Sequence, residues 1–202
     1  MNDRQFLWGL SNGVMVFAVA GTFWLGLGIG MAGPHVAWQV SASSTVIQVG
    51  VLAVLLRAAV TLKRRSRFLA SELRQSEGGR TPETKRILIG LRRTVAGQTV
   101  VIALAVWICV RADAQQLIWP AMALIVSLHL VPLARIFHVR AYYATAAAGS
   151  LVSLAALGIG TGTYAVVCLA VAMAAVMWTS AVYLLVNADT IATRSVGERW
   201  EV

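Results

Sequence analysis

Six long apolar runs, separated by short polar connections, constrain this chain more than any other feature. They extend from about Phe6 to Met31, Val36 to Leu62, Thr94 to Ala112, Leu117 to Phe137, Ala141 to Gly160 and Tyr164 to Asn187. Each has the roughly 20 residues a helix needs to cross the ~30 Å hydrocarbon core of a bilayer. No water reaches the backbone there, so each run has to satisfy its own N–H and C=O groups, as a helix does. Alternating apolar and polar residues in ten-residue strands are absent, which argues against a β-barrel. Charged residues make up 12% of the chain and hydrophobic ones 58%. A soluble domain carries about 25% charged residues, so this surface is built to face lipid. Six spans use most of the 202 residues and leave no room for a separate soluble domain. The predicted architecture is all-α: a polytopic membrane helix bundle of six transmembrane helices, forming a single transmembrane domain over 1–202.

Orientation follows from where Lys and Arg fall, because basic residues collect on the cytoplasmic side. The loop 33–35 has none, and neither does the turn Gly160–Thr163. The stretch 63–93 has ten basic residues against three acidic ones. Arg135 and Arg140 flank the turn after the fourth run, Arg194 and Arg199 lie in the tail, and Arg4 precedes the first run. Arg111 is balanced by Asp113. Basic and neutral connections alternate through all six spans, which predicts N-terminus in and C-terminus in. Ala18-Val19-Ala20 has the small-x-small form of a signal-peptide cleavage site, but the apolar run continues to Met31 and Ser11-Asn12 interrupts its start. The first run is therefore expected to remain as a span.

The net charge of +9, on a membrane chain, points to anionic lipid head groups and not to nucleic acid. Its main reservoir is 63–93, expected to form a basic cytoplasmic helical hairpin. Val60–Gln75 continues the second helix, Gly78-Gly79 breaks it, and Thr81, Pro82 and Glu83 form a cap and first turn for the third. The hairpin reads either as a docking surface for a partner or anionic lipid, or as a device that only sets topology. Arg57, Arg64, Arg65 and Arg135 stand at cytoplasmic helix ends. They are candidates for the mouth of a solute path or for contacts with lipid head groups.

Small residues let helix backbones approach in lipid, where packing has to replace a hydrophobic drive. Gly9 with Gly13, and Gly26 with Gly30, form GxxxG pairs, and the fifth run is dense in Ala and Ser from Ala144 to Ser153. Both internal packing and a homo-oligomer interface fit this pattern, and a homo-oligomer is expected.

No Asp or Glu lies inside any span. Intramembrane carboxylates mark proton relays and ion-coupled transport, so a carboxylate-driven antiporter is disfavoured. An intramembrane metallohydrolase, which needs several His and Asp ligands, is disfavoured too. Of the three histidines, His35 falls at the outer surface and His138 in an inner turn, and His129 alone lies well inside a span. It lies in the cytoplasmic half of the fourth run, three residues before Pro132, which removes a helical hydrogen bond. It reads as a substrate contact or pH-sensitive gate, or as a neutral imidazole bonded to a neighbouring helix. With Gln48 and Ser44 of the second run, Gln98 of the third and Asn12 of the first, it would line a path for a small solute. The alternative is that these side chains are interhelical hydrogen bonds. Cys109 and Cys168 both fall about one turn from the outer surface, as a possible thiol pair or as small apolar fillers. They have no CxxC or ligand spacing, and neither a metal site nor a cofactor is indicated. Trp8, Trp38 and Trp119 near span ends fit interfacial belts.

The stretch Leu128-His129-Leu130-Val131-Pro132-Leu133-Ala134-Arg135-Ile136-Phe137, followed by Ala141-Tyr142-Tyr143, resembles a segment that recurs in small, uncharacterised six-span bacterial inner-membrane proteins. The resemblance covers about a tenth of the chain. It implies no activity, and it directs attention to His129, Pro132 and Arg135 as a unit.

These observations lead to a small multi-pass inner-membrane channel or facilitator as the first functional expectation, not an enzyme. A non-catalytic membrane subunit, docking a protein or anionic lipid through 63–93, is the alternative. An intramembrane redox or lipid enzyme is the third.

Overall fold

The computed structural model describes the backbone of residues 3–32, 38–73, 82–137, 139–159 and 162–188. Every regular element among them is helical: α1 (Asp3–Ala32), α2 (Trp38–Leu73), α3 (Pro82–Arg111), a 3-10 turn (Gln115–Leu117), α4 (Ile118–Phe137), α5 (Arg140–Ile159) and α6 (Thr163–Val186). All six helices contain a stretch long and apolar enough to cross a membrane. The protein is thus a six-helix membrane bundle, as the apolar runs predict. Pro82 does open α3, while Gly78, Gly79 and Thr81 lie outside the described residues.

Two groups of three helices build the bundle. α1 packs on α6 and α2, while α4 packs on α5 and α3. The groups meet chiefly where α5 lies against α6, with a lighter contact between α4 and α6. Burial follows this plan. In the apolar window of α6, 44% of residues are buried within the protein, whereas in α3 none are. α6 is the central helix, and α3 lies on the periphery with most of its surface free of the rest of the chain.

Close approach explains the glycines inside the groups. A Cβ at Gly28 would stand 3.1 Å from that of Ala170 on α6. Gly21 lies under the Trp178 indole and Gly149 under the Ser127 hydroxyl, each too close to admit a side chain. Trp178 also donates from Nε1 to the Ala18 carbonyl of α1 at 3.4 Å. Across the seam, Tyr142 of α5 meets Phe17 of α1 edge-on at 5.5 Å and Phe137 of α4 at 6.2 Å. Its hydroxyl end sits on Gly13. Of the expected GxxxG residues, Gly13 therefore serves internal packing, while Gly30 has open space around it.

The α3–α4 connection shows why a tight turn forms without glycine. Asp113 adopts φ 54°, the left-handed region. The Ala114 N–H donates to the Cys109 carbonyl at 2.8 Å and the Asp113 N–H to the Val110 carbonyl at 3.3 Å. These two bonds close the last turn of α3 in the Schellman pattern, and Asp tolerates the left-handed position better than most residues.

Candidate functional site

Polar groups inside a bilayer need partners, and the described ones are mostly satisfied nearby. Ser127 donates to the Ala123 carbonyl at 2.8 Å, and Ser153 to that of Gly149 at 2.7 Å, each one turn back in its own helix. The Gln48 side-chain amide, buried on α2, donates to the Thr22 carbonyl of α1. That bond crosses between helices, and it occupies the residue expected to face a solute.

The expected path residues fall on both helix groups. Asn12 is half-buried on α1, while Ser44 and Gln48 lie one turn apart on α2. Gln98 is half-buried on α3 and His129 half-buried on α4. The first three therefore belong to the α1–α2–α6 group and the last two to the α3–α4–α5 group. Arg57, Arg64 and Arg135 are exposed; the Arg65 side chain lies outside the described residues, as do His35 and His138. Cys109 is half-buried on α3, Cys168 is exposed on α6, and both thiols are free. These helices belong to different groups, and each packs chiefly on other partners.

A cavity of about 660 Å³ lies in the seam between α5 and α6. The Thr145 and Ser180 hydroxyls approach to 2.7 Å within it. This contact sets the register of two antiparallel helices, so Arg140 lies at the same end as Tyr183, and Ala148 at the same end as Ala175. Ala141, Ala144 and Val176 complete the apolar walls, with Thr179 at the edge. Ala144, Ala175, Thr179 and Tyr183 are exposed, so the cavity opens sideways as a groove. Its charged end is Arg140, the first residue of α5.

The groove floor asks for little water. Thr145 donates to the Ala141 carbonyl at 3.0 Å and Ser180 to that of Val176 at 2.7 Å. Two hydroxyl protons thus serve three oxygen contacts, and neither hydroxyl has a spare donor. Sequence reasoning counted Arg140 only as a loop charge and did not single out Thr145, Ser180 or Tyr183. The dense small residues of the fifth run were the visible signal, because small side chains leave room for a groove.

Among the described residues, no three His, Cys, Asp or Glu side chains come together as a metal site would require. The chain matches no protein-family model, no curated protein and no solved structure.

Proposed function

We propose that this protein is a non-catalytic membrane subunit that holds an acidic protein partner at the cytoplasmic face through the basic ends of α2 and α3. The observation that carries the reading is that these helices do not stop where their apolar spans do. The α2 span ends at Thr61 and the helix continues to Leu73; the α3 span begins at Ile89 and the helix begins at Pro82. At 1.5 Å per residue, the α2 arm projects by roughly 18 Å. Lys63, Arg64, Arg65 and Arg67 are carried on its first turns, and Lys85 and Arg86 on the α3 arm. Setting topology requires only charge near the membrane. A rigid helical arm adds spacing and register, which a docking surface uses.

The facilitator reading has less support. It needs Asn12, Ser44, Gln48, Gln98 and His129 to share one water path, and Gln48 already serves as a tie between helices. The subunit would reside in the inner membrane of a bacterial-type cell. It would self-associate through α3, the helix with most surface free of its own chain.

A photo-crosslinking amino acid in place of Phe68 tests the docking reading in cells. A discrete protein adduct is expected, with its yield falling several-fold when Lys63, Arg64, Arg65 and Arg67 are all replaced by Gln. Adducts with lipid alone would sink the proposal and assign the arm to the membrane surface. Water or solute flux in proteoliposomes that depends on His129 would restore the facilitator.

A further inference from the structure

We infer that the α5–α6 groove binds one anionic glycerophospholipid of the cytoplasmic leaflet, its phosphate on the Arg140 guanidinium and one acyl chain along Ala144, Ala148 and Ala175. The inference goes beyond the docking reading, which uses other residues on other helices.

Four features select this occupant. The first is orientation. The charge bias of the connections places the Arg140–Tyr183 end in the cytoplasm, and cytoplasmic leaflets carry the anionic lipids. The second is length. From Arg140 to Ala148 a helix rises about 12 Å, which fits within one leaflet, half of the ~30 Å hydrocarbon thickness. A chain lying along the groove would therefore run parallel to its neighbours in the bilayer, with its head group at the interface.

The third feature is the distribution of polarity. Guanidinium and phenol stand at one end, and alanine lines the other. In between, the Thr145 and Ser180 hydroxyls are already occupied by each other and by their own helices. That gradient suits an amphiphile, and the two floor hydroxyls have no spare proton to donate to a polar solute. The fourth is access. The groove opens sideways, the direction from which a lipid arrives without leaving the bilayer, and its volume of about 660 Å³ lies in the range of ordinary ligand sites. Arg140 already interacts within the chain, and the five N–H donors of its guanidinium leave others over for the oxygens of a phosphate.

Native mass spectrometry of the detergent-solubilised full chain, incubated with phosphatidylglycerol or phosphatidylcholine, tests the assignment. The wild type is expected to retain phosphatidylglycerol about fivefold better, the selectivity one interfacial arginine supplies. Arg140→Gln should bring the two lipids to near parity. Ala148→Phe should lower retention of both by filling the groove, and Thr179→Trp should repeat the block from the exposed lip without touching buried packing. A variant with Lys63, Arg64, Arg65 and Arg67 replaced by Gln should keep the wild-type ratio, even if it loses a protein partner. Equal retention of the two lipids by the wild type overturns the inference, as does unchanged selectivity in Arg140→Gln. So does selectivity that disappears only in the basic-arm variant, or a second copy of the chain found in place of lipid.

Discussion

The Thr145 and Ser180 hydroxyls stand 2.7 Å apart and tie α5 to α6 along the floor of a lateral groove. Each also bonds a carbonyl of its own helix, so removing either one leaves the other with an alternative. In membrane bundles such cross-helix bonds average about 0.6 kcal/mol, with a maximum of about 1.7. A double-mutant cycle of Thr145→Val and Ser180→Ala, read by unfolding in mixed micelles, should give a coupling in that range. A coupling of zero would mean that both hydroxyls serve only their own helices.

The Gln48 amide joins α2 to α1 through the Thr22 carbonyl. Gln48→Leu is expected to cost about 1 kcal/mol of stability. It should leave the solute permeability of proteoliposomes unchanged. A stable Gln48→Leu protein with altered permeability would contradict the structural role.

Glycines should divide sharply by what lies over them. Gly149→Val drives a side chain into Ser127, and Gly21→Val drives one into the Trp178 ring. Overpacking of this kind costs typically about 1–3 kcal/mol. Nothing lies within 4 Å of the Cβ position at Gly97. Gly97→Ala should therefore be neutral, or stabilising by up to about 1 kcal/mol through helix propensity, as measured in the same unfolding assay. Substantial loss of assembly in Gly97→Ala, without loss of monomer stability, would assign that face of α3 to a contact between copies.

The thiols of Cys109 and Cys168 are free and sit on helices of different groups. Mild oxidation of the single-chain protein should produce no intramolecular disulfide, as followed by mass after thiol alkylation. Formation of that bond would revive the redox reading of the pair.

Asp113 occupies a left-handed turn position. Asp113→Gly should be tolerated or slightly stabilising, and Asp113→Val should destabilise by about 1 kcal/mol or more, because a branched side chain is strained there. Equal stability of the two variants would show that the turn relaxes to another conformation.

Much of the fold could be read directly from residue order. The run from Tyr164 to Asn187 predicts α6 because two dozen residues without charge can only cross lipid as a helix. Pro82 predicts the start of α3, since a missing N–H is harmless only in the first turn. Polar residues were legible as important but not as to what they do. Gln48 is a path residue or a tie depending solely on whether a carbonyl of another helix lies opposite it. Arg140 looked like one loop charge among several until Tyr183, 43 residues later in the chain, proved to stand at the same end of the same groove.

Sequence alone determined the number and approximate extent of the helices, because bilayer thickness and backbone hydrogen bonding act on each segment by itself. The tertiary structure alone decided the order in which the helices pack, the central place of α6 and the groove beside it. Lipid offers no hydrophobic drive to choose between apolar faces, so that choice rests on shape. Gly28 against Ala170 and Trp178 over Gly21 fit only when two distant segments meet.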